Sequence, residues 1–163
     1  MRKLAFFAPL AAVMAVAAAA QAQPDAVTVR IGPDLQEKAD DLGQREVDQQ
    51  AARLADKVRQ VLARRGALDG ARIDLVLTDL APNRPTWQQA SDRPGLSIMD
   101  SFSIGGAAVE GEVVTADGQR FPVRFSRYSN DIRNVQGYGT WWDADRAFER
   151  LANNLAEGRL VTR

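Results

Sequence analysis

Val109-Glu110-Gly111-Glu112-Val113-Val114-Thr115-Ala116-Asp117-Gly118-Gln119-Arg120-Phe121-Pro122-Val123-Arg124-Phe125 decides the fold, because one register of this stretch sorts its side chains and the neighbouring register mixes them. Asp117-Gly118 sits between two alternating runs, the signal of a β-hairpin. A two-residue loop would put Glu112 beside Val123 and Glu110 beside Phe125 on one face. A three-residue loop, Ala116-Asp117-Gly118, pairs Val113 with Phe121, Gly111 with Val123 and Val109 with Phe125. It also sets Glu110 opposite Arg124 and Val114 opposite Arg120 on the outer face. A slip of one residue reverses every side chain, so the apolar match selects three. The hairpin is expected over Phe102 to Arg127, with Gly118 in the left-handed position that ends such a loop. Gly105-Gly106, early in its first strand, marks a bulge or a close backbone approach.

The flanking segments supply the remaining elements. Val27, Val29 and Ile31 alternate with Thr28 and Arg30, a short strand that ends at Gly32-Pro33. From about Leu42 to Arg65, Val47, Ala51, Leu54, Val58, Val61 and Leu62 share one helical face, and Gly66 closes the helix. Ala71 to Leu80 reads as a strand, stopped by Pro82-Asn83-Arg84-Pro85-Thr86. The last helix is expected to begin at Thr140, its hydroxyl and Asp143 forming a near capping box, and to end at Gly158. Two stretches without period, Pro82 to Asp100 and Ser126 to Gly139, are loops long enough to be functional. The fold class is therefore α+β: a mainly antiparallel sheet of about four strands with two helices packed on one face, in the order β-α-β-β-β-α.

The chain has 163 residues, and its N-terminus reads as an export address. Arg2 and Lys3 precede an uncharged run from Leu4 to Ala20, and Ala20-Gln21-Ala22 offers small residues before a cleavage point. Residues 1–22 are read as a signal peptide and 23–163 as a single domain. Such an alanine-rich signal points to a bacterial periplasm, with release to the medium as the alternative, and to no stable membrane span once it is cleaved. Removing Arg2 and Lys3 from the 21 basic and 21 acidic side chains leaves a net charge of about −2. No cysteine follows the apolar run, so lipid attachment through an N-terminal cysteine is excluded.

Histidine and cysteine are both absent. That rules out a Ser-His-Asp triad, a Cys-His dyad, disulfides and any imidazole- or thiolate-ligated metal. No cofactor is implied, and balanced charge argues against a broad phosphate-binding or nucleic-acid surface. Ser101 and Ser103 have no histidine to activate them, and Asp40-Asp41 and Asp143/Asp145 lack the spacing of a calcium loop. Glu110 and Glu112, two apart on one strand face, have the spacing of a glycosidase pair, yet the arginines expected across the ladder explain them as ion-pair partners.

Pro82-Asn83-Arg84-Pro85-Thr86, then Ser103-Ile104-Gly105-Gly106-Ala107-Ala108-Val109-Glu110-Gly111-Glu112-Val113, then Asp117-Gly118, resemble small exported bacterial envelope proteins of uncharacterised domain families, often lipoproteins. The resemblance covers about Ala71 to Leu160 and implies an exported sheet-and-helix domain in the envelope. It brings no catalytic residues with it. The missing lipidation cysteine departs from many such relatives and argues against outer-membrane anchoring.

The aromatics carry the remaining signal. Tyr128, Tyr138, Trp141 and Trp142 lie in or beside the second loop among Asn130, Asn134 and Gln136, and Trp87 lies in the first. Planar side chains beside amides suit a glycan or peptide surface, because they bury area at low entropy cost. These five are the candidate binding residues, with one tryptophan filling the sheet-helix core as the competing role. The preferred reading is a non-enzymatic binding or assembly module that contacts an envelope protein or a cell-wall component. A carboxylate-dependent hydrolase of envelope glycans, using Glu110 and Glu112, is the alternative.

Overall fold

In a computed structural model, which describes residues 26–135 and 138–162, strand β1 (Ala26–Ile31) is followed by helices α1 (Pro33–Leu42) and α2 (Gln44–Arg65). Strand β2 (Arg72–Ala81), the single-turn helix α3 (Trp87–Asp92) and strands β3 (Gly106–Val114) and β4 (Arg120–Tyr128) come next. A 3₁₀ turn at Ile132–Asn134, helix α4 (Trp142–Ala156) and the two-residue strand β5 (Val161–Thr162) complete the order. The expected signal peptide, 1–22, lies outside the described residues.

The sheet runs β1-β2-β3-β4-β5. β2, β3 and β4 are antiparallel neighbours, whereas β1 joins β2 in parallel, after the helical connection such a pair requires. The hairpin takes the expected register throughout, with Val113 opposite Phe121, Val109 opposite Phe125 and Glu110 opposite Arg124. Its loop closes by Gly118 N–H donating to the Thr115 carbonyl at 2.8 Å, and Gly118 has φ +83°, a conformation side chains resist.

One face of the sheet is the core. Ile73, Leu75, Leu77, Val109, Val113, Val123 and Phe125 meet Leu54, Val58 and Leu62 of α2 and Phe148, Leu151 and Leu155 of α4, all buried. The opposite face carries cross-strand ion pairs in the open, Arg120–Glu112 at 2.8 Å and Arg124–Glu110 at 3.3 Å. The exposed edge of β1 is partly blocked, since an Arg59 guanidinium donates to the Val27 carbonyl at 2.9 Å.

The structure departs from the sequence reading in four places. Two helices were expected and four are present. α1 is separate from α2 because Gly43 turns the chain at φ +91°, and it buries Leu35, Ala39 and Leu42 at helical spacing. α3 lies inside the first long loop, where Thr86 and Gln89 form a reciprocal capping box. The hairpin's first strand begins at Gly106 rather than Phe102, and α4 begins at Trp142 without a Thr140 cap. The donor at that helix start is satisfied from elsewhere in the chain.

Candidate functional site

Asn83 supplies the missing cap. Its side-chain oxygen accepts the Asp143 backbone N–H at 2.9 Å, while its amide nitrogen donates to the Asp143 carboxylate at 2.6 Å and to the Ser103 carbonyl at 3.3 Å. The Asn83 N–H donates to the Thr140 carbonyl at 2.7 Å, and the Ser103 N–H donates to the Asn83 carbonyl at 2.9 Å. Asn83 is fully buried, and each of its polar groups is used. Gly105 lies against it so closely that a Cβ there would stand 2.5 Å from the Asn83 side-chain oxygen.

Arg84 pins the same region from outside. Its guanidinium donates to the carbonyls of Tyr138, Ile98 and Met99 and lies 4.5 Å over the Phe102 ring. One arginine thus ties both long loops together through backbone oxygens. Glu46, in the first turn of α2, adds a second bridge: its carboxylate accepts the Trp87 N–H at 3.2 Å and the Trp141 indole N–H at 3.0 Å. Asp41 accepts from Gln89 at 2.7 Å and from Arg93, holding α3 to the end of α1.

On this frame the five candidate aromatics separate. Trp141 turns inward against the core, while Trp142 stays half-exposed and stacks on Tyr138, ring centres 5.1 Å apart. The Tyr128 hydroxyl donates to Asp79, which also accepts from Lys38 at 2.7 Å. Burial and the Asp79 charge together push the Tyr128 hydroxyl well above its ordinary range. Burial opposes the charge on Asp79, but the bonds from Lys38 and Tyr128 outweigh it and hold that carboxyl below its usual range. Trp87 is 75% exposed.

Sequence reasoning missed further exposed apolar side chains here. Met99, also 75% exposed, is joined by Phe102, Ile104 and Ile132. With Trp87, Tyr128 and Trp142 they lie on or beside the two long loops, whereas the other large exposed apolar side chains among the described residues are Phe121 and Val161. Apolar residues in an aperiodic segment were the available signal.

Beside this end runs a cleft of about 600 Å³, lined by Trp87, Trp141, Pro85, Ile98, Glu46 and Gln50 among others. The Gln50 side-chain oxygen is buried there without a hydrogen-bond partner among the described residues. An unmade bond of this kind costs about 1–3 kcal/mol, and the oxygen is closed off from solvent. The cleft offers aromatic walls and the Glu46 carboxylate.

Glu110 and Glu112 are each engaged by their own arginine on the outer sheet face, the cross-strand arrangement. Ser103 donates its hydroxyl to the Pro82 carbonyl. Among the described residues no helix is long and apolar enough to cross a membrane. No protein-family model, curated protein or solved structure matches this chain.

Proposed function

We propose that this chain is a non-enzymatic binding or assembly module of the bacterial cell envelope, exported to the periplasm, that takes an envelope protein or cell-wall component at the loop end of its sheet. The observation that carries this reading is the cleft lined by Trp87 and Trp141, whose N–H groups both donate to the Glu46 carboxylate in the same lining. A ligand that lays a flat or ring-bearing group against the tryptophans gains apolar contact at low entropy cost. The frame of Asn83, Arg84 and Glu46 supports the reading further, because loops pinned before binding lose little entropy on binding. Export is supported by the basic start, the apolar run and the small-residue exit of residues 1–22.

The test is affinity capture from envelope extract with the wild-type chain and with Trp87→Ala and Ile98→Ala variants, both in the cleft lining. A captured component that both substitutions release supports the reading. Identical capture by all three proteins rejects it. N-terminal sequencing of the chain isolated from cells tests export separately, with Gln23 as the expected first residue.

A further inference from the structure

The total charge of the chain is balanced, yet its positive charge is unevenly placed. On α4, Trp142, Asp145, Arg146, Glu149, Arg150 and Asn153 recur at steps of three and four and form the outward stripe, opposite buried Ala147, Phe148 and Leu151. That stripe lines a shallow cleft of about 500 Å³, flanked by Arg53 and Lys57 of α2 and by Arg127 of β4. Five cations therefore face two acids, a local excess of three positive charges.

Four of the five cations, Lys57, Arg127, Arg146 and Arg150, also lack a hydrogen-bond or ion-pair partner among the described residues, a condition found elsewhere at Arg30 and Arg45. Arg53 stands 2.9 Å from the Asp145 carboxylate, but that oxygen has no aligned hydrogen bond, and burial lifts the Asp145 carboxyl above its usual range despite Arg53 and Lys57. Arg53 and Lys57 are four apart on α2, as are Arg146 and Arg150 on α4, and like charges at that spacing repel. Two repelling pairs on neighbouring helices, facing one hollow, are costs that a bound anion would reverse.

We propose that this cleft binds a ligand carrying clustered phosphate groups. Guanidinium forks match phosphate oxygens two at a time, and closely spaced phosphates deliver the multiple negative charge that an excess of three cations requires. Trp142, braced from one side by Tyr138, gives the end of the cleft a planar surface for whatever carries the phosphates. This site lies on the helix face and stands on the cations, independently of the Trp87 cleft.

The experiment titrates the chain with tripolyphosphate at low and high salt, and measures co-flotation with phosphatidylglycerol and with phosphatidylcholine vesicles. The variants are Arg146→Gln/Arg150→Gln and, as a charge-matched control on the outer sheet face, Arg120→Gln/Arg124→Gln, each checked for unchanged thermal unfolding. Saturable tripolyphosphate binding is expected that weakens with salt and falls about tenfold or more in the helix variant, the loss from one or two charge-assisted bonds, while the control variant binds as wild type. Added flotation with the anionic vesicles alone assigns the phosphates to lipid headgroups. Tripolyphosphate binding without flotation assigns them to a soluble or polymer-borne source. Absence of tripolyphosphate binding, or equal loss in both variants, overturns the proposal.

Discussion

Gly105 and Asn83 are expected to be energetically coupled, and the size of the coupling follows from the geometry. Asn83→Ala removes the acceptor of the Asp143 N–H at the start of α4, worth about 1 kcal/mol as a helix cap. It also removes the 2.6 Å bond to the Asp143 carboxylate, a charge-assisted bond of about 1.5–3 kcal/mol. The backbone bonds of Asn83 survive, so the loss totals about 3 kcal/mol, or a fall in Tm of about 10 °C for a domain of this length. Gly105→Ala in the wild-type background drives a methyl to within 2.5 Å of the Asn83 side-chain oxygen, an overpacking of about 1–3 kcal/mol. In the Asn83→Ala background the three nearest atoms are gone, and the same alanine costs almost nothing. Urea unfolding of the four proteins, followed by tryptophan fluorescence, gives the double-mutant cycle, with an expected coupling of about 2 kcal/mol. Single-variant losses that add to within about 0.5 kcal/mol would refute the account of the Asn83 hub.

Gln50→Leu is expected to stabilise the chain by about 1 kcal/mol in urea unfolding, since it removes a buried acceptor that has no partner among the described residues; a destabilised protein would contradict this. Asp79 has a depressed carboxyl, so its contribution is present above its unfolded value of 3.8 and disappears as pH falls through the lower folded value. The stability gap between wild type and Asp79→Asn should therefore be constant at neutral pH and close only below about pH 3.8, as read by unfolding at a series of pH values. Asp145 is raised by burial, so its carboxylate opposes folding at neutral pH; Asp145→Asn should unfold no earlier than wild type and bind tripolyphosphate more tightly, in a paired melting and titration measurement.

The legible part of this fold is the part whose signals are local. Hairpin register could be read because Val109, Val113, Val123 and Phe125 must share a face, and a slip of one residue would expose all of them. α1 leaves little trace in the sequence because its buried stripe is only Leu35, Ala39 and Leu42, too short a period to stand out before Gly43. The sequence points the start of α4 to Thr140, where a local cap is on offer, whereas the cap in use comes from Asn83, 60 residues away. Loop order was hidden for the same reason: Arg84 works through backbone carbonyls, which carry no sequence signature. The aromatics were recognisable as a group, but their division into inward Trp141 and outward Trp142 depends on Glu46, on another helix. Charge balance concealed the α4 cleft, because Arg127 and Lys57 join Arg146 and Arg150 only after folding.

Photo-crosslinking in producing cells is the most direct trial of the binding role. Benzoylphenylalanine is placed at position 99, among the exposed apolar loop side chains, or at position 30, on the outer face of β1. A discrete higher-mass adduct from position 99 and none from position 30 is the predicted result. Adducts of equal yield from both positions, or none from position 99, would contradict it.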